Sequence, residues 1–198
     1  MAVDGAAVAF PVVAEASAVE VHPVAGSDVS ARSSGAARWW RHLATDDARV
    51  QRVLGPDGLQ RIERAVTEGE RTHRGQVRFA IEAALPLRRV MQGLTAHERA
   101  LEVFALSRTW DTEDNCGVLV YVLLADRGVE IVADRGIHRQ VGEATWQAVC
   151  RTMETAFRDG RFVAGAQDGV REISRILAQH FPATGEVANE LPDKPLVL

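Results

Sequence analysis

The sequence predicts a single α/β domain: a mixed β-sheet, made of a βαβ unit and a β-hairpin, with helices on both faces. Three observations lead there. Residues 117–125 are uncharged and mostly apolar, rich in Val, Leu and Tyr, and end at turn residues, which is the pattern of a strand buried on both faces. Asp126-Arg127-Gly128 then reads as a turn and residues 129–133 as a returning strand, a β-hairpin. Upstream, Val77, Phe79, Ile81 and Ala83 alternate with Gln76, Arg78, Ala80 and Glu82, and a helix separates this strand from the buried one. Strand, helix, strand is a βαβ unit with its two strands parallel.

A chain of 198 residues has room for one real core and a tail at either end. Hydrophobic residues make up 46% and charged residues 25%, ordinary for a soluble globular protein. The formal charge of −4 supplies no overall attraction to nucleic acid or anionic lipid. Cys116 and Cys150 are too few for a disulfide framework and read as small core residues, consistent with a reducing compartment. No run approaches the roughly 18 apolar residues of a membrane span. Asp4, Glu15 and Glu20 interrupt the Ala- and Val-rich N-terminus, which lacks the pattern of a secretory signal, so the expected location is cytoplasmic.

Along the chain, residues 1–35 mix Ala, Val, Gly, Ser and Pro without a period, and predict a disordered tail. Residues 36–43 (AARWWRHL) read as a short helix with Trp39 and Trp40 set among Arg38, Arg41 and His42. Two readings stay open: an interfacial membrane contact, or a helix pinned onto the domain with one Trp in the core. The second is favoured, because one or two turns carry little membrane affinity alone. Thr45, Asp46 and Asp47 offer an N-cap for a second helix through Val53. Leu59, Ile62 and Val66 mark a third helix, with Gly75 placed to terminate it. Pro86 ends the first strand. Thr95-Ala96-His97-Glu98 fits a capping box, opening a helix whose apolar face carries Leu94, Leu101, Phe104 and Ala105 and which ends near Ser107.

After Gly136 the pattern is helical. Trp146, Val149, Cys150, Met153 and Phe157 form one stripe, and Ala166, Val170, Ile173, Ile176 and Leu177 another that stops before Pro182. Gly165 and Gly169, four apart, permit a close helix–sheet contact. Residues 183–198, with two prolines and no period, predict an extended or disordered tail.

The functional expectation comes from the hairpin. In an antiparallel pair, residues entering the first strand lie near those leaving the second. Asp111, Glu113, Asp114 and Asn115 therefore gather at the same end of the sheet as Asp134, and the turn acid Asp126 at the other. Oxygen donors brought together there are what a hard cation needs. The competing reading is that these acids cap turns, pair with arginines or are simply solvated.

Other chemistry is missing from the sequence. It holds no Gly-rich phosphate loop, HExxH, nucleophile elbow or CxxC. An EF-hand starting at Asp111 would put Cys116 where its glycine belongs and Val122 where its glutamate belongs. The six histidines have no zinc-site spacing. Arg135, His138 and Arg139 cluster without an aromatic among them, which argues against single-stranded nucleic acid.

The Gly75-Gln76 junction, Trp110-Asp111, the run Asn115-Cys116-Gly117-Val118-Leu119 and the Ala125-Asp126-Arg127 hairpin resemble the TPM domain family over residues 39–182. RWWRHL, RFAIEAALPL, VEIVADRGI and NELPDKPLVL are similar to its compact bacterial subgroup. The resemblance implies a mixed sheet with helices on both faces. It also implies one of several activities: acid phosphatase in a plant member, calcium binding through acids at one end of the sheet in some relatives, and service to membrane proteins in others. Cys116 stands where relatives commonly carry a second Asn.

Two functions follow as expectations. One is a non-enzymatic accessory or interaction domain, working with another protein, peripheral to a membrane in one version, and taking a divalent cation. The other is a metal-dependent phosphatase of phosphomonoesters. The ligands of the cation, Ca²⁺ or Mg²⁺, are drawn from the set Asp111, Glu113, Asp114, Asn115 and Asp134; in the phosphatase Asp111, Asp114, Asn115 and Asp134 hold it, and Arg135 and Arg139 steady the phosphate.

Overall fold

The computed structural model describes residues 35–46, 48–185 and 189–198, so the expectation for the N-terminal tail lies, Gly35 apart, outside the described residues, as does Asp47. Helices α1 (Gly35–Leu43), α2 (Ala48–Leu54) and α3 (Gly58–Glu70) lead to strand β1 (Gln76–Glu82). Helices α4 (Leu87–Met91) and α5 (Ala96–Leu106) connect it to β2 (Gly117–Leu123), and β3 (Gly128–Ala133) follows directly. Then come α6 (Arg135–Val141), α7 (Glu143–Arg158), α8 (Phe162–His180) and β4 (Leu196–Val197).

The sheet runs β3-β2-β1-β4. β1 and β2 are parallel and β2 and β3 antiparallel, the mixed sheet that the sequence predicts. Every residue of β2 is buried, because both faces of the sheet are covered. Val77, Phe79, Ile81, Val118, Val120, Val122, Ile131 and Ala133 face the larger core, formed with α2, α3, α6, α7 and α8. Ala80, Leu119, Tyr121, Leu123 and Val132 face a smaller one, formed with α4 and α5. The predicted α7 stripe from Trp146 to Phe157 is buried throughout. At the start of α5 the Thr95 hydroxyl accepts from the Glu98 N–H while the Glu98 carboxylate accepts from the Thr95 N–H, so the capping box forms.

The structure departs from the sequence reading at several places, among them Ala105, which is expected on the apolar face of α5 and is exposed. One short helix, α4, goes beyond the expectation because it is too short to show a period, whereas α6 lies where the pattern is already read as helical. Gly75 does not terminate α3, which ends five residues earlier. Its place is set by packing instead, since a Cβ there would stand 3.0 Å from Leu177. Gly165 and Gly169 face α7 rather than the sheet: a Cβ would meet Ala156 at 2.6 Å and the Met153 sulfur at 2.3 Å. Finally, residues 189–198 are built into the fold. The Gln76 side-chain oxygen accepts from the N–H groups of Glu190 and Leu191, the Arg78 guanidinium donates to the carbonyls of Pro192 and Lys194, and Leu196 and Val197 pair in parallel with Ala80 and Ile81.

Candidate functional site

The hairpin delivers the acids to the expected end of the sheet. The Asp134 N–H donates to the Gly117 carbonyl at 2.9 Å, tying the end of β3 to the start of β2. Backbones crowd here. A Cβ on Gly117 would stand 1.8 Å from the Thr109 carbonyl oxygen, and one on Gly136 would stand 2.7 Å from the Asn115 carbonyl oxygen. Only glycine fits at either position. The loop itself closes as a turn: the Asn115 N–H donates to the Thr112 carbonyl, and the Cys116 N–H to the Thr112 hydroxyl at 2.9 Å. Arg108 and Asn115, at its two ends, both have positive φ (54° and 51°), a conformation rarely held by residues other than glycine.

Within this crowded rim Asp111, Asp114 and Asp134 are each engaged separately. Asp111 pairs with Arg108 at 2.8 Å, and Asp114 with Arg74 at 2.6 Å. Asp134 caps α6, its Oδ1 accepting from the Arg135 N–H at 2.6 Å, and burial raises its pKa although that bond and the Arg135 charge oppose the shift. Glu113 and Asn115 are exposed. Among the described residues, no group of three or more His, Cys, Asp and Glu is placed to hold a metal ion. The rim as it stands thus has the oxygen atoms for a hard cation but uses them as ion pairs and a helix cap. Arg135, the first residue of α6, sits beside Asp134; Arg139 is exposed one turn on.

Three rim residues were not singled out from the sequence. Arg74 is the partner of Asp114. Glu190, from the C-terminal segment, accepts from the Glu113 N–H at 2.9 Å. Glu70 lies beneath, accepting from the Val77 N–H at 2.8 Å. Burial, reinforced by the Asp193 carboxylate and outweighing the Val77 bond, pushes Glu70 up to about 8. The Cys116 thiol donates to the Arg74 carbonyl at 3.2 Å, and burial with the nearby Asp114 and Glu190 pushes it up to about 11, which makes it unreactive.

The opposite end of the sheet, outside the carboxyl ends of β1 and β2, is where open α/β folds take their ligands. Here α1 fills it. Arg38 Nε and Arg41 Nη2 each lie 3.0 Å from an Asp126 oxygen, Arg41 Nε donates to the Ala125 carbonyl, and His42 Nδ1 accepts from the Leu85 N–H at 2.9 Å. That acceptor role puts the ring proton on Nε2, 3.4 Å from Asp126. Just below, the Tyr121 hydroxyl donates to Glu82 at 2.7 Å and Arg99 Nε to the same oxygen at 2.9 Å, a buried polar network on the α5 side.

Comparison with known proteins agrees with this architecture. The family model of the TPM domain matches residues 47–176. No curated protein matches the chain. Among solved structures, the NMR structure of the BA42 protein from the psychrophilic bacterium Bizionia argentinensis sp. nov. is similar, with a TM-score of 0.65 and 26% sequence identity; the match covers 73% of this chain and 95% of that one. With well over half of its length matched by that family model, the chain belongs to the TPM domain family.

Proposed function

We propose that the protein is an accessory interaction domain that meets its partner through the charged rim at the N-terminal ends of β1 and β2. The observation that carries this is the state of the rim acids: Asp111 and Asp114 stand at the surface, each closed onto an arginine. Exposed pairs of this kind are worth little to the fold, about 0–1 kcal/mol each. They are therefore free to exchange their internal partners for charges on another molecule, and such complementarity sets specificity and on-rate. The filling of the opposite crevice by α1 favours the same reading, since it occupies the place where a substrate would enter.

A second reading, a divalent cation at the rim serving phosphomonoester hydrolysis, is favoured by one contact. The carbonyl oxygens of Asn115 and Asp114 close over Gly136, two residues from Asp134, so oxygen atoms of the type Ca²⁺ takes are near one another. It requires Asp114 to leave Arg74. The purified chain incubated with a chromogenic phosphomonoester, with and without Ca²⁺, Mg²⁺ or Mn²⁺, separates the two. The interaction reading predicts no turnover with any ion. Metal-dependent turnover that rises in Arg74→Ala, where the competing guanidinium is gone, and disappears in Asp114→Asn would replace it with the phosphatase.

A further inference from the structure

Helix α1 is seated inside out. Surface helices turn their apolar stripe toward the core and their charges to water. Here Arg38, Arg41 and His42 face the domain, bound to Asp126, Ala125 and Leu85, and His42 is 3% exposed. Trp40 and Leu43, three residues apart, face out with 62% and 48% of their surface exposed. The short helix α4, packed beside α1, adds Met91 at 76% exposed, and Arg88, one turn before it, is exposed too. Trp39 braces Trp40 edge-on, their ring centroids 4.9 Å apart with an interplanar angle of 81°. Neither tryptophan is in the core, so the core-Trp explanation for this pair does not hold.

From this arrangement we propose that the outer face of α1, with Met91 and Arg88 of α4, docks onto an anionic lipid surface. Exposed apolar groups gathered on one side mark a contact surface. Its size selects the kind of contact. Three side chains expose on the order of 300–400 Å², about half of what each partner in a standard protein–protein interface buries, which is too little for a stable second copy. It is enough for an interfacial anchor, where a Trp ring sits at headgroup level with its apolar body in the acyl boundary. The cation of exposed Arg88, on the same short helix as Met91, complements anionic headgroups. Because Asp126 already holds α1 by its arginines, the helix needs no refolding to bind. The contact is peripheral: among the described residues no helix is long and apolar enough to cross a membrane. The inference rests on α1 and α4 and not on the charged rim, so either can fail alone.

The test is co-sedimentation of the full chain with vesicles of phosphatidylglycerol and, separately, of phosphatidylcholine. The expected result is binding to phosphatidylglycerol that weakens with salt, falls at least tenfold in the double variant Trp40→Ser/Leu43→Ser, and falls severalfold in Arg88→Glu. Both positions of the double variant are exposed, so its melting temperature should stay within about 2 °C of wild type. No binding to either vesicle, or binding that the double variant leaves unchanged, overturns the proposal. So does a vesicle-free wild type that is a dimer where the double variant is a monomer, which would make the face a contact between copies. A melting temperature lowered by many degrees in the double variant also overturns it, because the face would then be covered within the chain.

Discussion

The two ends of the sheet each bury a carboxyl group, and the two groups live in opposite states. Asp126, at the carboxyl end of β2, is opposed by burial, yet the hydrogen bonds from His42, Arg41 and Arg38 outweigh that and hold it well below the usual carboxylate range. Glu70, near the start of β1, has a backbone N–H and another carboxylate for company, and burial pushes it up to about 8. Burial is common to both; the sign of the neighbouring charge decides which state survives. One end is locked by an ionised cluster. The other is held by neutral hydrogen bonds and tight backbone, with its charges left outside.

The largest way to break this contrast is to remove the central anion. Asp126→Ala leaves two arginines and a histidine around an empty site and should cost about 3–5 kcal/mol in a denaturant titration, freeing α1 from the domain. The rim should respond to backbone instead of charge. Gly117→Ala forces a methyl into the Thr109 carbonyl and should cost about 2–3 kcal/mol, whereas Asp114→Asn, which removes the ion pair with Arg74, should cost less than about 1 kcal/mol. A chain in which Asp114→Asn destabilised more than Gly117→Ala would reverse the assignment of roles.

The pH dependence sharpens the comparison, because the two carboxyls have opposite signs. Asp126 is depressed in the folded state, so its contribution is present above about pH 4, the unfolded value, and is lost as pH falls. Glu70 is raised, so the folded state holds its proton more tightly; its contribution is present at low pH and lost as pH rises toward 8, at up to about 1.4 kcal/mol per pH unit. Stability of Glu70→Gln measured from pH 5 to 9 should gain on wild type as pH rises, and Asp126→Asn should gain on wild type as pH falls below 4. A difference curve for Glu70→Gln that stays flat would mean the carboxyl is ionised.

How much of this could be read from the residues follows from how local each feature is. The apolar run of β2, the capping box at Thr95 and the α7 stripe depend on neighbours within a few positions, and all formed. The placement of Asp111, Asp114 and Asp134 at one end of the sheet was legible too, since a hairpin admits one arrangement of ends. Their partners were less so. Arg108 lies three residues from Asp111, but Arg74 lies 40 before Asp114 and belongs to a different connection. The orientation of α1 was hidden for a related reason. Its pattern alone puts a Trp inward, and it is turned around by Asp126, 85 residues beyond Arg41. The C-terminal strand escaped because a prolyl tail has no period; its place is set by Gln76 and Arg78 on β1, over 110 residues upstream.

The claim that the rim presents ion pairs for exchange, instead of a cation site, is tested most directly by a calcium titration of the full chain followed through its backbone amide NMR signals. The account predicts that the amides of Asp111, Asp114, Asn115 and Gly136 stay in place below millimolar Ca²⁺. Saturable shifts confined to those residues and Asp134, at micromolar Ca²⁺ and absent from Asp114→Asn, would contradict it.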